Sequence, residues 1–138
     1  MAYSQDFRKS ALRHLKAAQV LHGRVGSGDQ PGCQAVAGYL FGLAGELAVK
    51  EIMRNSGIKP AANRRDDPFF AHFPALKTML STAEGLRSGE LRKVSEDTSL
   101  FQHWDTDMRY APTKDIDVRW VDAWKASAEQ LIDRMGGI

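Results

Sequence analysis

GYLFGLAGELAVKEIM, residues 38–53, decides the fold of this chain. In this stretch and its flanks two apolar series step by three or four residues: Val36, Leu40, Leu43 and Leu47 beside Phe41, Ala44, Ala48 and Ile52. A helix that is apolar on most of its sides has to be surrounded by other elements. The reading is a buried central helix over about 34–55, closed by Gly57. Gly38, Gly42 and Gly45 would each cost about 1 kcal/mol relative to alanine inside a helix, a loss that close approach by a neighbouring helix would offset. The Gly38 to Gly42 spacing also matches a membrane dimer motif. Tight packing in a soluble bundle is the better reading, because Glu46, Lys50 and Glu51 follow at once.

Upstream, Phe7, Ala11, Leu15, Ala18 and His22 repeat with helical period and predict a first helix over about 4–24, with Ser4 as its cap. The segment GSGDQPG, residues 26–32, breaks that pattern as a loop should. Downstream, residues 58–71, IKPAANRRDDPFFA, read as a connection. A third helix starts near Pro74 and runs through Leu76, Met79 and Leu80 toward Gly85. A fourth covers about 88–104, with Leu91, Val94, Thr98 and Phe101 facing inward. After DTDMRYAPTKD, a last helix over about 117–135 carries Trp120, Trp124, Leu131 and Met135 on one side and stops at Gly136 and Gly137. No run alternates apolar and polar residues long enough for a strand. The expected fold class is all-α, an antiparallel up-and-down bundle of four to five helices forming one domain over residues 1–138.

Composition narrows the function classes. With 43% apolar and 26% charged residues the chain is an ordinary globular one, and a net charge of +2 is too weak to announce nucleic-acid binding by itself. Cys33 is the only cysteine, so it builds neither an internal disulfide nor a cysteine zinc site; it reads as a small buried apolar residue in a reducing, cytoplasmic setting. The charged, amphipathic start MAYSQDFRKSALRHLK does not read as a signal peptide. The uncharged run over residues 31–45 is too short to span a bilayer, so no membrane association is expected.

Few residues stand out for chemistry. Glu46 and Lys50 are four apart on a helix otherwise apolar; they form either a helix-surface pair or the polar part of a pocket that could hold a ligand phosphate. His14, His22, His72 and His103 lack the spacing of a helical metal site, and no phosphate loop, nucleophile elbow or dinucleotide fingerprint occurs. No metal and no cofactor is expected. In HWDTDMRY, Trp104 and Tyr110 offer faces for a stacked base and Arg109 a bidentate phosphate contact. Equally, Trp104 belongs to the core and Arg109 pairs with Asp105 or Glu46.

The Gly-Tyr start of the second helix, its small residues and Glu46-Leu-Ala-x-Lys50, then His72, Phe73 and Leu76, then Trp104 and the Arg109-Tyr110 pair, resemble in order and spacing the HEPN domain superfamily. The resemblance implies an antiparallel helical bundle, usually dimeric, of the kind found in toxin–antitoxin and phage-defence systems and beside small nucleotidyltransferases. It also implies that a metal-independent ribonuclease would carry an arginine followed, after four to six residues, by a histidine. Arg65 and His72 fit that mark at its widest spacing, with Asp66 after the arginine, although DDPFFA between them is not its compact polar form. Arg8 and His14 fit too, but point in different directions on one helix. The leading expectation is therefore a HEPN-like binding module for RNA or a nucleotide, with Arg109, Tyr110, Trp104, Glu46 and Lys50 as its contacts. The alternatives are a metal-independent endoribonuclease using Arg65 and His72, or a non-catalytic partner of a nucleotidyltransferase, toxin or antitoxin. A homodimer is expected as well, since Phe69, Phe70, Phe73, Phe101, Trp104, Trp120 and Trp124 exceed what one small bundle readily hides.

Overall fold

Asp6, rather than Ser4, opens the first helix, because its carboxylate accepts the backbone N–H of Lys9 at 3.0 Å and sits at the positive end of the helix dipole. The computed structural model describes residues 3–24, 32–82 and 89–136. Of the loop expected at 26–32, residues 26–31 lie outside the described residues, as do the environment of Cys33, the boundaries at Gly85 and 88, and Gly137, while Gly32 already belongs to the central helix. Helix α1 spans Phe7–His22 and buries the stripe Phe7, Ala11, Leu15 and Ala18. Helix α2 spans Gly32–Asn55 and is the centre of the fold, flanked by α1 and by α5, Val118–Arg134. Two short helices, α3 over Ala75–Thr82 and α4 over Gly89–Glu96, pack on each other. Single 3-10 turns occupy Arg64–Asp66, Pro68–Phe70, Thr106–Tyr110 and Thr113–Asp115. The described residues contain no strand, and the chain is an all-helical bundle.

Helix directions follow from the cross-contacts. The amide of Gln34 reaches the carbonyl of His22, and His22 meets the ring of Phe41, so α2 starts where α1 ends and runs antiparallel to it. His22 meets Asp122, Gln19 meets Glu129, and Arg8 reaches the carbonyl of Gly136, so α5 also opposes α1. Helices α2 and α5 consequently run in the same direction. The short helices and turns between them carry the chain back to its starting end.

On α2 the series Phe41, Ala44, Ala48 and Ile52 is buried, whereas Leu40, Leu43 and Leu47 are half-buried and Val36 is 50% exposed. The central helix is therefore covered on most sides but not all. Its glycines receive aromatic rings rather than a neighbouring helix backbone. A Cβ on Gly42 would sit 1.9 Å from Trp104 Cε2, one on Gly45 2.4 Å from Phe101, and one on Gly38 2.9 Å from Trp124.

The fourth helix ends at Glu96, not near Trp104, and Thr98 is exposed rather than inward-facing. Phe101 and His103 adopt φ of 53° and 72°, a left-handed backbone that cannot continue a helix. The kinked segment drives Leu100, Phe101 and Trp104 into the core while His103 stacks outside on Trp120 at 4.5 Å. With those glycine slots filled, Phe69, Phe73, Phe101, Trp104 and Trp124 are all buried within one chain, and Phe70 and Trp120 are half-buried. These aromatics therefore leave no surplus for a dimer interface, contrary to the expectation from their number, because the slots create room that a count of side chains does not show.

Candidate functional site

The connection between α2 and α3 is built by short-range caps and aromatic anchors. Asn63 and Asp67 accept the backbone N–H groups of Arg65 and Phe69, each at 3.0 Å, and so fold the two 3-10 turns. Phe69 stacks on Phe7 of α1 at 5.7 Å and Phe73 on Phe101 at 5.0 Å, which pins the segment across α2. Glu46, only 2% exposed, receives it: Oε1 accepts the Phe73 N–H at 2.7 Å and Oε2 lies 2.9 Å from His72 Nδ1. Burial pushes the Glu46 carboxyl above its ordinary range, against the opposing pull of His72, Lys50 and the Phe73 amide. The His72 side chain is 53% exposed.

Lys50 lies one turn further along the same face of α2 and is 5% exposed. Glu46 closes no ion pair with it; its two oxygens meet His72 and the Phe73 amide of the connection instead. Among the described residues no acceptor lies within hydrogen-bond or ion-pair reach of Lys50 Nζ; it feels Glu46 and Asp67 only at longer range, and burial pulls its ammonium below the ordinary lysine value. Nζ is nevertheless not sealed from solvent: among the described residues the fully buried polar side-chain atom without a hydrogen-bond partner is Glu90 Oε2. Lys50 lines a cavity of about 400 Å³ between α1 and the connection, bordered by Arg13, Ser10, Leu47, Phe70 and His72. A neighbouring cavity of about 420 Å³ has both Arg65 and His72 in its lining, together with Arg64 and Asp67. Arg8 and His14 do not form a site: Arg8 reaches Gly136 and His14 turns onto the carbonyl of Ser10.

The Arg109 segment forms a second, separate place. Asp105 caps the turn Thr106–Tyr110 by accepting the N–H of Asp107 at 2.9 Å. Arg109 therefore pairs with neither Asp105 nor Glu46; its guanidinium donates to the Tyr39 hydroxyl at 3.3 Å and lies over its own neighbour Tyr110, 4.9 Å from the ring centre. Tyr110 is 76% exposed. A groove of about 190 Å³ opens beside them, lined by Val36, Tyr39, Met108 and Ala111. Trp104 has to be removed from the stacking surfaces. It is 2% exposed, donates its indole N–H to the Gly38 carbonyl at 3.1 Å, and its face is already covered by Tyr39 at 5.7 Å.

The five residues expected in one binding site thus divide between two places on α2. Tyr39 and Lys50 are about 16 Å apart along the helix axis at 1.5 Å per residue, with half-buried Leu43 and Leu47 between. Sequence reading missed Tyr39, Arg13 and Asp67. Tyr39 carried a signal, since it falls seven residues before Glu46 and so on the same face. Arg13 carried none, being one of several cations on the exposed side of α1. Among the described residues no group of His, Cys, Asp or Glu side chains could hold a metal ion, and no helix is long and apolar enough to cross a membrane. Comparison of the chain with protein-family models, curated proteins and solved structures finds no match.

Proposed function

We propose that this chain is a HEPN-like binding module that recognises RNA or a nucleotide through phosphate, acting as a cytoplasmic homodimer in a defence or toxin–antitoxin setting. The observation that carries the proposal is Lys50: a lysine with 5% exposure and no partner in reach, bordering an open cavity beside Arg13 and His72. Such a group is satisfied by an incoming anion, and a phosphate brings both the charge and the acceptor oxygens that Nζ lacks. The Arg109 groove supplies the complementary surface, an exposed tyrosine and a guanidinium suited to a base and a backbone phosphate. Fluorescence anisotropy with a labelled oligoribonucleotide and with ATP tests the reading. Binding in the micromolar range that Lys50→Met weakens at least about tenfold is expected, on the scale of a lost charge-assisted hydrogen bond. Absence of binding to either probe refutes it and favours the non-catalytic partner of a nucleotidyltransferase, toxin or antitoxin.

One arrangement favours metal-independent endoribonuclease activity as a second reading. The buried Glu46 holds His72 by Nδ1, leaving Nε2 free to take a proton from a ribose hydroxyl, and Arg65 lines the same cavity. Incubation of total RNA with the protein in excess chelator decides it. Cleavage lost in His72→Ala supports the reading, and intact RNA refutes it.

A further inference from the structure

We infer that the Lys50 cavity takes a terminal phosphate, that of a mononucleotide or of a phosphorylated RNA end, in preference to an internal phosphodiester. This inference rests on the phosphate-binding reading above and names its substrate class. Lys50 lines the cavity with only 5% of its surface exposed. A phosphate that reaches Nζ has to enter this cavity, which Phe70 of the connection and Ser10 and Arg13 of α1 also line. An internal phosphodiester is flanked by a nucleoside on each side, and both would have to enter with it. A phosphomonoester drags only one, which leaves its free oxygens to point inward.

Charge argues the same way. A phosphomonoester carries close to two negative charges at neutral pH, whereas a diester carries one. The carboxylates around the cavity are already engaged: Glu46 by His72 and Phe73, Asp67 by the Phe69 amide, and Asp6 by the Lys9 amide. Glu46 uses both oxygens in this way, Asp67 and Asp6 one each, and the basic side chains that line the cavity are Lys50, Arg13 and His72. Arg13 spends one N–H on Ser10 Oγ at a long 3.3 Å and keeps a further set of donors. Half-buried Leu47 and Phe70 provide an apolar wall against which the single attached nucleoside can rest.

The test uses the full chain and one oligoribonucleotide, labelled at its 3′ end, prepared with a 5′-phosphate and with a 5′-hydroxyl. Anisotropy titration is expected to show the phosphorylated form bound about tenfold or more tightly, with AMP competing and adenosine not. Lys50→Met is expected to equalise the two forms at the affinity of the hydroxyl form. The exposed substitution Arg13→Ala, which leaves the core untouched, is expected to narrow the difference several-fold and guards against a folding defect in the first variant. Equal affinity of the native chain for both forms, still weakened by Lys50→Met, overturns the preference for an end while leaving phosphate binding standing. No binding of either form, and no competition by AMP, overturns both.

Discussion

Gly42→Ala adds one methyl group and should unfold a large part of the stability of this domain. The new Cβ would lie 1.9 Å from Trp104 Cε2, 2.0 Å from Nε1 and 2.6 Å from Cδ1, and the indole is not the free end of a flexible chain but a buried ring stacked on Tyr39. Relieving the clash costs about 1 to 3 kcal/mol of overpacking. Displacing the ring also breaks its bond to the Gly38 carbonyl, leaving a buried indole N–H unsatisfied at about 1 to 3 kcal/mol. Against this stands a gain of about 1 kcal/mol from replacing glycine by alanine inside a helix. The net expectation is destabilisation by about 1 to 5 kcal/mol, or on the order of 10 °C in Tm for a domain of this size. Urea denaturation followed by circular dichroism measures it, with Gly89→Ala as the control, since a Cβ there meets nothing within 4 Å. Pairing the substitution with Trp104→Ala should recover part of the loss, a coupling that a double-mutant cycle isolates. A Gly42→Ala protein as stable as the native chain would refute the placement of Trp104 against α2.

Three further outcomes are expected. The folded state lowers the proton affinity of Lys50 relative to the unfolded chain, so between its depressed folded value and its ordinary 10.5 the unfolded state binds more protons and stability rises with pH. Lys50→Met should flatten that rise in urea midpoints taken from pH 7 to 10, leaving the contribution of Lys77, whose ammonium is also depressed by burial; parallel profiles would exclude a desolvated Lys50. Arg109→Ala should weaken RNA or nucleotide binding by about tenfold with little change in Tm, and Arg109→Lys should not restore it because an ammonium lacks the planar fork; a lowered Tm with proportionate loss of binding would assign the residue a structural role. Light scattering at micromolar concentration should give twice the 15.3 kDa chain mass; a native mass of 15.3 kDa removes the dimer.

The central helix was legible because two independent properties agreed on it, apolar periodicity and the three glycines. Its partners α1 and α5 were legible to within a few residues for the same reason, as Asp117 at the head of α5 shows by accepting the Arg119 N–H at 2.8 Å. The end of α4 was not. Leu91, Val94, Thr98 and Phe101 keep helical spacing, and nothing in side-chain chemistry marks Phe101 and His103 as left-handed; tertiary packing against Gly42 and Gly45 over-determines that backbone. The site was half legible for a related reason. Glu46 and Lys50 were conspicuous as charges on an apolar helix, and reading them as a mutual pair was the natural local inference. What replaced that pair was the Phe73 amide and His72, which lie 27 and 26 residues away in sequence and are delivered by two aromatic stacks, a long-range event with no local signature. Trp104 was ambiguous in the sequence for want of one datum, the position of the glycine that admits it.

The aromatic contacts have a bearing on how the two candidate binding places act together. Phe73, held by Glu46 at one end, stands edge-on to Trp104 at 6.4 Å; Trp104 lies flat on Tyr39; and Tyr39 holds Arg109 by its hydroxyl. These rings form a continuous series of contacts from Glu46, one turn from Lys50 on α2, to the Arg109 groove. Close-packed rings resist compression, so the column of rings works as a gauge block: the separation of Glu46 and Arg109 is set by the core and not by whatever occupies the two places. A ligand that engages both must match that span, one too short can use only a single end, and thinning the column at Trp104 changes the calibration at both ends together.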